Sequence, residues 1–238
     1  MMKLIEVENV SKSFDGLNVL DSVSLSVSSG ENLSIVGPSG VGKSTLLRLI
    51  AGLDDVDSGL INLFTNKISM VFQYSALLNS YTVSENIKLA LHAHKISKEE
   101  KHQKVIEKLK LVGLEKYQDY FPDQLSGGQR KRVAFARAIV NDPEIILYDE
   151  PTAGLDPILS TLIEDYINKL SSEYKVASVV VTHQLSTIRR TSKRVLMLCF
   201  GKIVWEGPPD KFLSTDNPYV KQFVNAELEG PILAGLLE

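Results

Sequence analysis

The sequence predicts an α/β fold: a core of mainly parallel sheet, an antiparallel β subdomain and an inserted α-helical lobe. Three observations lead there. A strand, a glycine-rich loop and a helix follow one another over residues 33–53, which makes one βα unit. Apolar runs of strand length return after residue 142. Between them, residues 74–141 carry helical rather than strand periodicity. The expected organisation is a single domain over 1–238, with 1–73 and 142–205 forming the α/β core and its β subdomain. Residues 74–141 form the helical lobe and 206–238 a C-terminal tail.

Residues 4–10 read as a strand and Phe14-Asp15-Gly16 as a turn. Residues 23–27 alternate apolar with polar, as a half-exposed antiparallel strand does. The 33–36 strand feeds the glycine loop, and a helix over 44–53 offers Leu46, Leu47, Leu49 and Ile50 for burial. Residues 68–72 are a short apolar strand ending at Gln73. In the lobe, Ser97 and Glu100 have the spacing of a capping box, each satisfying a backbone N–H at a helix start. Val105, Ile106, Leu109 and Val112 then give one apolar face, which Gly113 ends. Residues 144–148 form a buried-type strand, and Asp156-Pro157 supplies an N-cap and a first-turn proline. Leu159, Leu162, Ile163, Tyr166, Ile167 and Leu170 form the buried stripe of that helix. Strands at 176–181, 195–199 and 203–205 complete the pattern, with no internal repeat or low-complexity tract.

Composition narrows the function classes. A chain of 238 residues that is 44% hydrophobic supports one substantial core, or a core carrying a smaller lobe. With 26 basic and 29 acidic residues the net charge is −3, which argues against a globally basic nucleic-acid binder. The single cysteine, Cys199, rules out an intrachain disulfide and a Cys-based zinc site, and fits a reducing compartment. The longest apolar runs, such as 195–200, are about six residues, against roughly 18–20 for a bilayer-spanning helix. The opening Met1-Met2-Lys3-Leu4-Ile5-Glu6 reaches an acid before any signal-peptide core. A soluble intracellular protein is expected.

The chemistry begins at Gly37-Pro38-Ser39-Gly40-Val41-Gly42-Lys43-Ser44, which matches G-x-x-x-x-G-K-[ST] between a strand and a helix. Glycines let backbone N–H groups converge on phosphate oxygens where a Cβ would intrude, and the helix dipole favours the anion. Lys43 reaches the β- and γ-phosphates, the Ser44 hydroxyl ligates Mg²⁺, and Thr45 extends the cradle. A structural turn that merely contains a lysine is the competing reading; the flanking strand and helix select nucleotide binding. The core is therefore that of a P-loop NTPase, with a nucleotide and Mg²⁺ as ligands. The apolar run 145–148 ends in Asp149-Glu150, at the carboxyl edge of a parallel sheet where ligands of this architecture bind. Asp149 holds Mg²⁺ and Glu150 polarises the attacking water; two acids capping a strand before Pro151 is the bland alternative.

Leu125-Ser126-Gly127-Gly128-Gln129 opens a helix and creates a second anion site, one more than a single nucleotide needs. Here the sequence resembles the ATP-binding cassette (ABC) family, and the resemblance covers essentially the whole chain. Ser126, Gly127, Gly128 and Gln129 are similar to the family's signature motif, which caps the γ-phosphate of ATP held on a second subunit. Gln73 resembles the loop glutamine that senses Mg²⁺ and the γ-phosphate while joining the lobes. His183 resembles the switch histidine on the γ-phosphate, and Leu155-Asp156 the loop that crosses between subunits. For Asp156 a plain helix N-cap is the other reading, and both roles are compatible. Phe14 stands where the family often stacks an aromatic on adenine; a core role is equally open. Arg130, Lys131 and Arg132 read as a solvated helix face or as partners of acids across the lobe. His92, His94 and His102 carry no assigned chemistry.

The resemblance implies the ABC ATPase fold and an ATPase whose hydrolysis drives transmembrane transport. It implies a homodimer, or a pair with a second ATPase subunit, closing around two ATPs, and transmembrane permease subunits. The chain would sit peripherally on the cytoplasmic or stromal face of the inner membrane. Residues 74–86 correspond to the surface that receives a coupling helix; Ser75, Leu77, Leu78 and Tyr81 are candidates for that groove, or for the lobe's own core. The run 182–188 and the tail's Pro218, Val220, Gln222-Phe223 and Gly230-Pro231-Ile232 look like the ATPases of lipid transporters. These are the lipid-asymmetry, mammalian-cell-entry (Mce) and trigalactosyldiacylglycerol systems, so a phospholipid or other lipid substrate and a lipid-binding Mce-type subunit are expected. The tail is expected to pack on a partner subunit. A soluble ABC scaffold or assembly factor, as in iron–sulfur assembly, is the rival from another class.

Overall fold

A computed structural model describes residues 2–232. β1 (Lys3–Phe14) and β2 (Leu17–Ser28) form an antiparallel hairpin, and β3 (Asn32–Val36) leads through the glycine loop into α1 (Lys43–Ile50). β4 (Ser58–Leu63) and β5 (Ile68–Val71) precede the lobe, which contains α2 (Val83–Lys88), α3 (Lys98–Leu111) and α4 (Gly127–Ile139). The core resumes with β6 (Ile145–Asp149), α5 (Pro157–Tyr174), β7 (Ala177–Val181), α6 (Leu185–Thr191), β8 (Arg194–Cys199) and β9 (Lys202–Gly207). Two short helices, α7 (Pro209–Phe212) and α8 (Pro218–Asn225), come last.

The strands sort into two sheets. The larger runs β5-β6-β7-β3-β8-β9, parallel except for β9 against β8. The smaller is antiparallel, ordered β2-β1-β4. Every residue of β3, β6 and β7 is buried, as expected of parallel strands covered on both faces. That register decides where function sits. Ile35 and Asp149 both pair with Val181, so the loops after β3, β6 and β7 leave the sheet at one carboxyl edge.

The helices follow their local signals. Ser97 accepts from the Glu100 N–H at 3.1 Å while Glu100 accepts from the Ser97 N–H at 2.8 Å, the reciprocal box read in the sequence. Thr82 and Glu85 close a second box at α2. In α3, Val105, Leu109 and Val112 are buried and Ile106 half-buried. α1 stops at Ile50, short of the expected residue 53. Gly52 turns left-handed (φ 68°), and the Leu53 N–H reaches back to the Arg48 carbonyl at 2.9 Å.

The C-terminal segment packs within the chain. Residues 217–232 pack on their own chain: Phe212, Val220 and Ile232 are buried with Ile188, Val195, Met197 and Cys199. Gln222 is buried and fastens the end, accepting from the Ile232 N–H at 2.7 Å and donating to the Glu227 carbonyl at 3.2 Å. Val220 and Gln222 thus form an intramolecular seam, with Phe223 half-buried beside it. Residues 233–238 of the expected tail lie outside the described part.

Candidate functional site

The loop from Gly37 to Gly42 is shaped by close backbone approach. A Cβ on Gly37 (φ 145°) would lie 2.1 Å from the Leu198 carbonyl oxygen, and one on Gly42 (φ 98°) 2.8 Å from that of Val19. Only glycine fits at either position. Pro38, Ser39, Gly40 and Val41 complete the curve, with Ser39 and Gly40 exposed and Val41 buried. Lys43 folds its chain over the loop, its Nζ donating to the carbonyls of Gly37 (2.9 Å) and Pro38 (2.6 Å). Burial pushes that ammonium below the ordinary lysine range, opposed by the charges of Glu150 and Asp149. Thr45, the third residue of α1, is half-buried.

Strand β6 delivers two carboxylates to the same place. The Ser44 hydroxyl donates to Asp149 Oδ1 at 2.9 Å, joining the loop to the strand end. Burial raises the Asp149 carboxyl above the usual carboxylate range, and the neighbouring Glu150 charge adds to that. Glu150 comes next in a left-handed conformation (φ 49°), uncommon for a non-glycine residue and a form of strain that clusters at working sites. Its Oε1 lies 2.8 Å from His183 Nδ1. Its Oε2 is buried without a hydrogen-bond partner. The constellation is a glycine loop crossed by the Lys43 ammonium, a hydroxyl–carboxylate pair and a carboxylate held by an imidazole.

Other expected residues sit elsewhere. Gln73, just beyond β5, is exposed. Ser126 caps α4 in a reciprocal box with Gln129, at 3.2 and 2.8 Å, and Gly127 and Gly128 form the first turn. A Cβ on Gly128 would meet Leu159 Cδ1 at 2.7 Å, so α4 starts tight against α5. No hydrogen bond among the described residues joins this element to the glycine loop. Asp156 is an N-cap, accepting from the Ile158 and Leu159 N–H groups at 2.9 and 3.0 Å. Phe14 is 46% exposed at the end of β1, with Lys12 Nζ 5.3 Å from its ring centre. The core reading of Phe14 is therefore wrong, and an open aromatic face remains. His92, His94 and His102 are exposed.

The candidates on the 74–86 surface divide. Leu78 and Tyr81 are exposed and are joined by Tyr74 at 86% exposure, whereas Ser75 is buried and Leu77 packs into the lobe core. The basic run is also corrected. Arg130, Lys131 and Arg132 are half-buried and make neither a solvated face nor acid pairs. They donate to backbone carbonyls: Arg130 to Leu125 (2.6 Å), Arg132 to Val112 (2.8 Å), and Lys131 to the turn after Glu150.

Sequence reasoning passed over several residues around this site. Thr152, fully buried, lies 3.0 Å from Gln184 Oε1 and 3.1 Å from Thr187 Oγ1. Thr187 donates to buried Glu164 at 2.7 Å, which Arg190 neutralises at 2.8 Å. Arg137 holds the Ser75 and Ala76 carbonyls at 2.9 and 2.7 Å, and Asn86 ties the 78–82 loop. None has a motif: each partner is distant in sequence or a main-chain group.

Comparison with known proteins places this geometry. Residues 20–153 match the family model described as ABC transporter. The chain is 41% identical to protein TRIGALACTOSYLDIACYLGLYCEROL 3, chloroplastic, of Arabidopsis thaliana, over 96% of this chain and 75% of that protein. It is 40% identical to the probable sulfate/thiosulfate import ATP-binding protein CysA of Chlorella vulgaris, over 90% and 94%. Among solved structures, a dimeric post-hydrolysis ATP-binding cassette bound to ADP and Pi superposes with a TM-score of 0.81 at 34% identity. That match covers 87% of this chain and 99% of that one.

Proposed function

The chain belongs to the ABC transporter family and is an ATP-hydrolysing, ATP-binding subunit of that class; we propose that it drives a lipid transporter. The observation that carries the ATPase chemistry is the meeting of Ser44, Asp149, Glu150 and His183 at one sheet edge. What supports the lipid substrate is the 41% identity, across nearly the whole chain, to a relative named for trigalactosyldiacylglycerol. Other relatives are named as import proteins for sulfate or methionine, so the motor is shared and the cargo is set by partners.

The residues divide the work. The Gly37–Ser44 backbone and Lys43 bind the ATP phosphates, and Thr45 extends the cradle. Phe14 offers its open face to adenine. Bound Mg²⁺ would neutralise phosphate charge, held by Ser44, Asp149 and Gln73. Among the described residues no cluster of three His, Cys, Asp or Glu side chains could hold a metal ion alone. That suits an ion whose shell is completed by phosphates and water. Glu150 takes the proton of the attacking water through its unpaired Oε2, while His183 fixes the other oxygen and reaches the γ-phosphate. Ser126, Gly127, Gly128 and Gln129, with Asp156, serve the nucleotide of a second ATPase subunit, identical or related.

No helix among the described residues is long and apolar enough to cross a membrane. The family relation supports permease subunits as the pathway. Tyr74, Leu78 and Tyr81 form the apolar surface that receives them. A lipid-binding Mce-type subunit and a peripheral seat on the inner membrane complete the assembly. The test is to purify the complex from solubilised membranes and identify its proteins and bound lipids. Permease subunits with stoichiometric phospholipid or galactolipid support the reading. A complex stimulated by sulfate or an amino acid, or a purely soluble pool, overturns it.

A further inference from the structure

Lys131 carries a half-buried charge that the site described above does not use. It lies on α4, the helix that opens at Ser126. Burial pushes its ammonium below the ordinary lysine range, with only the Glu150 charge opposing. Its partners are carbonyls: Glu150 at 3.3 Å, Pro151 at 3.4 Å and, closer still, Ala153. An ammonium has three N–H donors, and all of them are spent on one turn. Desolvating a cation without a carboxylate is costly, so a polar contact of this kind persists where the surroundings over-determine it.

The turn needs such a hold. Glu150 is left-handed (φ 49°), and the path of residues 151–153 sets where its carboxylate points. From the far side Thr152 anchors the same turn to Gln184 and Thr187, next to His183. From the near side, among the described residues, Lys131 alone sends a side chain to these carbonyls. The turn carrying the base is thus clamped between the α6 segment of its own site and the helix whose N-terminus addresses a different nucleotide.

We propose that Lys131 is a positioning residue that transmits the placement of the Ser126 helix to Glu150, and so couples the two nucleotide sites of a dimer. This rests on the reading of Glu150 as the base and of Ser126 as facing a second copy. When α4 seats on the partner's nucleotide, Lys131 draws the Glu150–Ala153 carbonyls with it and sets the carboxylate of its own site. Each site then fires only when the other is filled.

Steady-state ATP hydrolysis by the full-length chain, measured against ATP concentration, tests this. Lys131→Met keeps the alkyl stem and loses the donors. Its kcat should fall about tenfold, a loss of roughly 1.4 kcal/mol of transition-state stabilisation. Its KM should stay within about twofold and its Hill coefficient should drop toward unity. Lys131→Arg, which keeps charged donors, should retain most of kcat and the cooperativity. Wild-type kcat and cooperativity in Lys131→Met would overturn the proposal, as would a loss that Lys131→Arg does not relieve. Glu150→Gln is the control: if it still turns over, the base reading fails, whereas an inactive Glu150→Gln beside a normal Lys131→Met defeats the coupling alone.

Discussion

Asn86 is the residue on which the 78–82 loop depends, and its removal has a cost that the structure sets. The side chain is fully buried. Its Oδ1 accepts from the Leu78 N–H at 2.8 Å, and its Nδ2 donates to the carbonyls of Leu78, Tyr81 and Thr82 at 3.0 Å each. Asn86→Ala does not orphan all of these. The Leu78 carbonyl keeps the Tyr81 N–H at 3.1 Å, and the Thr82 carbonyl keeps the helical Asn86 N–H at 2.9 Å. Two groups lose their partner, the Leu78 N–H and the Tyr81 carbonyl. At about 1–3 kcal/mol for each buried unsatisfied group the cost is about 2–6 kcal/mol. Leu78 and Tyr81 are exposed enough for water to reach them, so the lower end, about 2 kcal/mol, is expected. Asn86→Asp keeps the acceptor for Leu78 but turns a second oxygen onto three carbonyls, and should be worse than alanine. Urea denaturation of both variants reads the difference. A loss below about 0.5 kcal/mol for Asn86→Ala, or an aspartate variant more stable than the alanine one, would refute this account of the loop.

Three further outcomes are expected. Gly37→Ala should cost far more nucleotide affinity and thermal stability than Gly40→Ala. Both glycines have positive φ, but the new Cβ meets the Leu198 carbonyl only at Gly37; equal losses would contradict the close-approach argument. The raised Asp149 carboxyl should make Mg²⁺–nucleotide affinity rise with pH until that group is ionised and stay flat above. The sign is set by the metal's need for the carboxylate, while the free fold favours the protonated form below its raised pKa and is penalised above it. Asp149→Asn should abolish that slope in calorimetric titrations repeated across pH. Deleting 217–238 should lower the melting temperature of the chain itself, since it removes buried Val220, worth about 1.5–3 kcal/mol, and Gln222 with it. An unchanged melting temperature would return the tail to a partner-binding role.

The parts of this fold legible in the sequence were those written locally. The glycine loop between 33–36 and α1, the capping box of Ser97 and Glu100, and the Asp156-Pro157 start each need only neighbouring residues. Buried strands β6 and β7 announced themselves as continuous apolar runs, and their register brought Asp149, Glu150 and His183 together as the motifs required. What escaped was the destination of charged and polar side chains. A run of Arg130, Lys131 and Arg132 looks like a wet surface until α4 is packed, whereupon each finds a carbonyl from a turn distant in sequence or at its own helix start. Asn86 and Glu164 gave no signal because one polar residue in a helix is ordinary. The tail was read from its motif alone, which does not reveal that Val220 and Ile232 pack against the chain's own β8 and α6.

The most direct test of the central claim combines hydrolysis and mass in one variant. Glu150→Gln keeps the cradle, Ser44, Asp149 and the Ser126 element while replacing the proposed base. With Mg²⁺-ATP it should bind nucleotide, lose turnover by about 10²–10⁴-fold and shift in light scattering from the 26.3 kDa monomer to twice that mass. Undiminished turnover, or a variant that stays monomeric with ATP bound, would contradict a shared, Glu150-driven ATP site.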